Sequence, residues 1–450
     1  MTVPPKPPSR PEHVGLFRYM KLFRKDILSA QPEKLYRAWM AEFKTPFFRS
    51  FLINDPSLVK TVLKDRPEDF PKSDRVGDGL RPLLGNSVFL TNGETWERQR
   101  RIIDPAFEGG RLKAVFPAMW AAGEAAIARL HKEAKDEPID IEPLMSHLAA
   151  DVIFRTLFSI PIEHETATRV FEAFRAHQKT QPILNLGAFV RGPRWMPRFF
   201  RSETKKTAVE IRNLIAELVE MRLHEIAKGH APEDLATKIL TSVDPETGKG
   251  FSKDEMVDQV AIFFLAGHET SAAALSWCLY LLATHPDWQN KVAAEGGVAT
   301  GQFGDLSKLK STRDVFREAL RLYPPVPMMV REASKAEAFR NRGVKRGAQI
   351  VLSPWHLHRQ NRLWDNPDGF DPSRWDTENG RSCAREAFIP FSAGARVCTG
   401  AGFAMMEGVL LTAMLVRKFT FSSSEESVPV PVAHLTVRSA NGIFLRIKRR

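Results

Sequence analysis

The stretch Phe391-Ser-Ala-Gly394-Ala-Arg396-Val-Cys398-Thr-Gly400 sets a thiol two residues after an arginine and between two glycines. Downstream, Met406, Val409, Leu410, Ala413 and Met414 keep the i, i+3, i+4, i+7, i+8 spacing of one buried helix face, so 402–418 reads as a helix. Cys398 is therefore expected in a glycine-bounded loop just ahead of a helix N-terminus. The positive end of the helix dipole favours a thiolate there. Flanking glycines let the backbone come close to a flat partner. Arg396 offers a planar fork that suits a carboxylate. A free cysteine is ordinarily a buried structural thiol; the spacing F-x-x-G-x-R-x-C-x-G sets this one apart.

A thiolate is one of the few protein ligands of haem iron, and it favours cleavage of an O–O bond. On these residues the sequence resembles the cytochrome P450 family, whose haem-thiolate loop has this pattern. The resemblance implies that Cys398 is the axial ligand of heme b (iron protoporphyrin IX). It further implies that Phe391 packs beside the thiolate and that Arg396 holds a propionate.

A second stretch carries its own chemistry. From Lys253 to Thr284 the sequence reads as a helix of about 30 residues, roughly 45 Å long, apolar nearly all round from Val260 to Ala283 and hence buried. Inside it lies Ala266-Gly267-His268-Glu269-Thr270. A glycine in a helix interior costs about 1 kcal/mol relative to alanine, and an acid and a hydroxyl in an apolar stretch need partners. Thr270 can bond back to the carbonyl of Ala266, or Gly267 opens a notch for bound oxygen while Glu269 and Thr270 relay protons. The pattern A-G-x-[DE]-T matches the family's oxygen-activation motif.

Other segments follow the resemblance. Trp96 and Arg100 are i, i+4 neighbours, and W-x-x-x-R is similar to the family's second propionate clamp; Arg331 falls at another. Glu318-Ala-Leu-Arg321 is similar to its structural E-x-x-R pair, with Arg374 as the later partner. Phe263, Phe264, Val326, Met328, Met329 and Leu435 fall at family positions near the substrate pocket. The implied fold is the cytochrome P450 fold, mainly α with a small β region, with the helix at about 253–284 over the haem. Residues 1–12 are expected as a disordered proline-rich lead and 13–450 as a single domain. Residues 71–87, rich in Gly and Pro, read as a long loop, Pro46–Ile53 as strand, 344–352 as a strand pair, and Gln181–Phe200 as a lid or a packed connection.

The whole chain narrows the class. With 450 residues, 43% hydrophobic and 26% charged, it suits a soluble globular protein. Three cysteines, Cys278, Cys383 and Cys398, form no C-x-x-C pair, which argues against a disulfide framework and fits a reducing, cytoplasmic setting. No apolar run reaches the roughly 20 residues of a transmembrane helix. The stretch from Leu16 to Leu28 alternates apolar residues with Arg18, Lys21, Arg24 and Lys25; it reads as a helix packed on the domain, with a membrane-surface helix as the other reading. A net charge of +12 without a zinc-finger or RNA-binding signature points away from nucleic acid.

Together these readings lead to a monomeric haem-thiolate monooxygenase that uses O2 and a hydrophobic small-molecule substrate, by hydroxylation or epoxidation. With no flavin or iron–sulfur module left over, electrons are expected from an acidic ferredoxin or flavodoxin with its reductase. Arg98, Arg101, Arg313, Arg317, Arg381 and Arg385 are its expected docking patch. A peroxide-using haem-thiolate enzyme and a non-catalytic haem sensor are the alternatives. Arg75 and Arg81 are candidates for a substrate carboxylate or for ordinary solvated arginines.

Overall fold

The longest helix, Lys253–Thr284, spans 32 residues, and its segment 271–283 is buried throughout. The computed structural model describes residues 3–44, 49–133, 137–180, 202–424 and 427–450. The Gln181–Phe200 segment and the beginning of the expected Pro46–Ile53 strand lie outside the described residues. Helices dominate, and the strands gather in small sheets, so the fold is mainly α with a small β region. Contacts group the chain into two compact units. One comprises 1–71, 123–146 and 270–450; the other comprises 72–122 and 147–269.

In the first unit a four-stranded sheet runs Met40–Lys44, Arg49–Ile53, Gln349–Leu352, Met329–Glu332. Arg49–Ile53 and Gln349–Leu352 pair in parallel, with Phe51 opposite Ile350; the other neighbours are antiparallel. Phe51, Ile53, Ile350 and Leu352 point into a core shared with Val59, Val62, Trp364 and Trp375. The strand pair expected at 344–352 forms differently: Arg342–Val344 pairs with Glu337–Phe339, and Gln349–Leu352 joins the larger sheet. Gly347, at φ 81°, turns the chain between them.

A buried ionic network fastens the path to the cysteine loop. Glu318, on the helix Lys310–Leu322, accepts bonds from Arg321 Nε and Nη2 and from Arg374 Nε, each at 2.9 Å. Arg321 also donates to the carbonyls of His358 (2.9 Å), Pro367 (2.6 Å) and Gly369 (2.8 Å). Both ring nitrogens of His358 are engaged: Nδ1 lies 3.3 Å from the Arg321 carbonyl, and Nε2 accepts the Ile389 N–H at 2.9 Å. Burial pushes the His358 pKa down to about 3, so the ring stays neutral and keeps that acceptor. Arg374 holds the carbonyls of Asp365 (2.6 Å) and Asn366 (3.0 Å).

Two expectations change here. Residues 3–12 are held in place, not disordered. Tyr323 Oη donates to the Pro5 carbonyl (2.7 Å), Lys6 pairs with Asp368 (2.9 Å), and Pro4 and Pro7 are buried. Proline costs little further entropy to fix, so a few such contacts suffice. The expected 71–87 loop contains a helix, Asp74–Leu84, closed by Gly85 at φ 52°. Burial of Leu80, Leu83 and Leu84 along one face outweighs two interior glycines.

Glu318→Ala would leave two buried guanidiniums without their carboxylate. The expected loss is about 3–5 kcal/mol of folding stability, read as a lowered midpoint of chemical unfolding, with far less holoprotein recovered.

Candidate active site

Cys398 is exposed, in a loop that its own backbone closes. Its N–H donates to the Phe391 carbonyl at 2.9 Å, and its carbonyl accepts the Ala401 N–H at 3.2 Å where the helix Ala401–Lys418 begins. Gly394 sits at φ 68°, and a Cβ there would lie 1.9 Å from the Leu63 carbonyl oxygen, so only glycine fits. Phe391 is half-buried at the other end of the loop. Cys398 therefore sits just ahead of a helix N-terminus.

Arginines crowd the same unit. Arg396 Nη1 donates to the Pro67 carbonyl at 2.6 Å. Arg331 is 7% exposed, and its Nε has no hydrogen-bond partner among the described residues. Burial, and then the like charge of Arg396, lower its pKa to about 10. A buried cation facing a second cation is costly unless an anion completes the site. That is the environment a haem propionate fits, beside a thiol able to ligate iron.

The second unit holds Trp96 and Arg100 and the long helix as far as Glu269. Trp96 and Arg100 lie on the helix Gly93–Ile103, with the guanidinium 5.9 Å from the ring centroid, and Lys72 Nζ is 5.5 Å from the same ring. Arg100 Nε also pairs with Asp104 at 2.8 Å, one turn on. In the long helix, Ala266 is exposed and Phe263, Gly267 and Thr270 half-exposed, a stripe at i, i+3, i+4, i+7. Glu269 lies off that stripe, 6% exposed, with Oε1 accepting from Gln178 Nε2.

A Cβ on Gly267 would come 2.3 Å from Ile153 Cδ1, so the missing side chain admits the isoleucine of the helix Glu142–Phe158. Phe264 is likewise a core residue, turned by 100° from Phe263: its ring meets Phe154 (4.5 Å), Phe174 (6.1 Å) and Phe158 (6.2 Å). Phe263 instead meets Phe107 at 5.6 Å. Met329 packs on the core of the sheet, while Val326 and Met328 are half-buried ahead of that strand. Leu435 sits at the tip of the hairpin joining Pro431–Ala433 to Val437–Ser439.

No group of three or more His, Cys, Asp or Glu side chains placed to hold a metal ion occurs among the described residues. His268 is buried with its ring 5.5 Å from Phe171. Arg81 is on the Asp74–Leu84 helix and donates to Asn86 Oδ1 at 2.6 Å.

Sequence reading missed one buried acid. Glu407, nine residues after Cys398, is 1% exposed; Ser271 Oγ donates to its Oε2, and its Oε1 has no partner among the described residues. Burial pushes its pKa up to about 8, with the Ser271 bond opposing. The available signal was a lone acid between Met406 and Gly408 in an apolar helix. Gln178 was missed too, and nothing local marks it.

The sequence profile of the cytochrome P450 family matches residues 8–446. A cytokinin hydroxylase of Arabidopsis thaliana is 30% identical over 405 residues, covering 88% of this chain and 78% of the relative. The cyclooctat-9-en-7-ol 5-monooxygenase of Streptomyces melanosporofaciens is 33% identical over 380 residues, 82% of this chain and 80% of the relative. The heme domain of a cytochrome P450DA mutant shares the fold, with a TM-score of 0.81 at 24% identity over 100% of this chain and 98% of that one. The chain belongs to the cytochrome P450 family, and it is a haem-thiolate monooxygenase that uses heme b.

The Glu407 shift has a definite sign. The folded state binds this proton more tightly than the unfolded chain, so stability is fullest below about 4.5 and falls as pH rises to about 8. Glu407→Gln removes the titration. Relative to the parent, its unfolding free energy is expected to gain across that window, with a ceiling of about 5 kcal/mol at about 1.4 kcal/mol per unit; parallel pH profiles would contradict the assignment.

Proposed function

We propose that this monooxygenase hydroxylates or epoxidises a hydrophobic small molecule in the cytoplasm, with electrons from a separate acidic ferredoxin or flavodoxin and its reductase. The observation that carries the reading is Cys398, ahead of a helix N-terminus in a loop that also holds Arg396, next to the buried Arg331. Haem b, when bound, supplies the activation of O2 and the transfer of one oxygen atom. Cys398 would ligate its iron, Arg331, Arg396, Trp96 and Arg100 would hold its propionates, and Phe391 would pack beside the thiolate.

Protons are the protein's main contribution to the reaction. Splitting O2 into one inserted oxygen and one water consumes two protons and two electrons. Thr270 Oγ1 presents a proton from the half-exposed stripe of the long helix, and Glu269 resupplies it from its buried position. The Gln178 amide holds the carboxyl in place. Ala266 and Phe263 make that stripe apolar, which suits a hydrophobic ligand. The names of the two relatives, a cytokinin hydroxylase and a cyclooctat-9-en-7-ol 5-monooxygenase, are compatible with such a substrate class.

The donor surface is narrower than the sequence suggested. Arg98 donates to Glu255 at 2.7 Å, and Arg101 to Asp244 at 2.6 Å, so their charges are already balanced. Arg317 pairs with Asp314 at 3.5 Å and lies over the Trp375 ring at 4.0 Å. Arg313, Arg381 and Arg385 are exposed, and these three are the cations proposed to steer an acidic donor.

Two substitutions test the chemistry. Cys398→Ser is expected to abolish the long-wavelength Soret band of the reduced carbon monoxide complex; a surviving band would refute the thiolate ligand. Thr270→Ala is expected to keep that band yet cut product formed per NAD(P)H at least tenfold, with the electrons appearing as hydrogen peroxide, since a positioned relay is worth about 10²–10⁴-fold. Unchanged coupling would remove Thr270 from the relay.

A further inference from the structure

The helix Leu16–Lys25 takes no part in the chemistry above, and its surface is unusual for this chain. It contains Arg18, Lys21, Arg24 and Lys25 and no acid. All four are exposed, and none belongs to an ion pair among the described residues. Elsewhere arginines are matched, as Arg66 is by Asp69 and Glu337, and Arg222 by Asp234. At 100° per residue, Arg24, Lys21, Lys25 and Arg18 fall on one arc of about 120°. Phe17 projects from the same side, between Arg24 and Lys21, and is 89% exposed, the most exposed large apolar side chain described.

The opposite face is engaged. Tyr19, Met20, Leu22 and Phe23 are half-buried, with the Tyr19 and Phe23 rings 5.7 Å apart. Just beyond the helix, Asp26 accepts the N–H groups of Leu28 (3.0 Å), Ser29 (2.8 Å) and Ala433 (2.8 Å), and Ile27 donates to the Ala433 carbonyl at 3.1 Å. The helix is thus fastened to its unit by its apolar side and its C-terminal end, and presents a fixed cationic face with one aromatic wedge.

We propose that this face docks the protein on an anionic lipid surface. Ten residues make a helix of about 15 Å, too short to cross a bilayer and suited to lying in its plane. Four unpaired cations match the anionic headgroups, each adding roughly fivefold to partitioning near such a surface. Phe17 then gains a place at the acyl boundary, where arginine and lysine stems also bury their carbons. An acidic protein would match the charges but gives the exposed phenylalanine no comparable partner. Docked in this way, the enzyme samples the layer in which a hydrophobic substrate concentrates.

The test is cosedimentation of the haem-loaded enzyme with vesicles of phosphatidylcholine alone and of an equal mixture with phosphatidylglycerol. Binding is expected only to the mixture, and it should weaken as the screening length falls from about 10 Å at 0.1 M salt to about 3 Å at 1 M. The triple reversal R18E/K21E/K25E should lower partitioning at least 100-fold with the reduced carbon monoxide spectrum intact. Phe17→Ser should lower it severalfold without altering the salt dependence. Equal binding to neutral vesicles, or undiminished binding by the reversal, overturns the proposal. So does a reversal that slows reduction by an acidic ferredoxin while neither protein binds vesicles, which would make the face a protein-docking surface.

Discussion

Glu318 sits at zero exposure between two arginines, and the segment that leads to the cysteine depends on that arrangement. Removing three charges from water is unfavourable by itself. The structure offsets it by giving nearly every donor of Arg321 and Arg374 an acceptor, mostly main-chain carbonyls between His358 and Gly369. Those carbonyls belong to a stretch without regular structure, whose own backbone could not satisfy them. The order continues through the neutral His358 ring to the Ile389 N–H, two residues before the loop. From there Phe391 and Cys398 close the loop on each other, and Gly394 sets it against the Leu63 carbonyl. A rigid scaffold thus delivers an exposed thiol at a helix N-terminus.

The site inherits an electrostatic demand from this scaffold. Arg331 and Arg396 bring like charges together with little solvent to screen them. A protein seeking only stability would set a carboxylate between them, as it does at Glu318. The anion proposed for this place is a propionate of the cofactor, which would link haem loading to completion of the fold. Glu407 shows the opposite solution: burial keeps it largely neutral, and Ser271, next to Thr270 in the chain, gives it a hydrogen bond. Glu269 accepts a hydrogen bond from the Gln178 amide.

What the sequence disclosed follows from how local each signal is. The cysteine loop, the long helix and the Glu318–Arg321 spacing are short-range patterns, and each lies where its period indicated. Long-range pairing was not readable in the same way. Gln349–Leu352 was taken as half of a hairpin because its true partner, Arg49–Ile53, is about 300 positions away. Glycine and proline misled twice. In 71–87 they suggested a loop, but three buried leucines made a helix. At the N-terminus they suggested disorder, but Tyr323 and Asp368 hold the arm. The role of Gly267 needed Ile153, and the loss of Arg98 and Arg101 from the donor surface needed Glu255 and Asp244, none of them neighbours in sequence.

The central claim is that Cys398, supported by Arg331 and Arg396, holds a haem through a thiolate. A crystal structure of the haem-loaded protein tests it most directly. The account predicts iron bonded to Cys398 Sγ, with propionate oxygens within hydrogen-bond distance of Arg396 and of the Arg331 guanidinium. Iron held by another residue, or propionates turned away from both arginines, would contradict it.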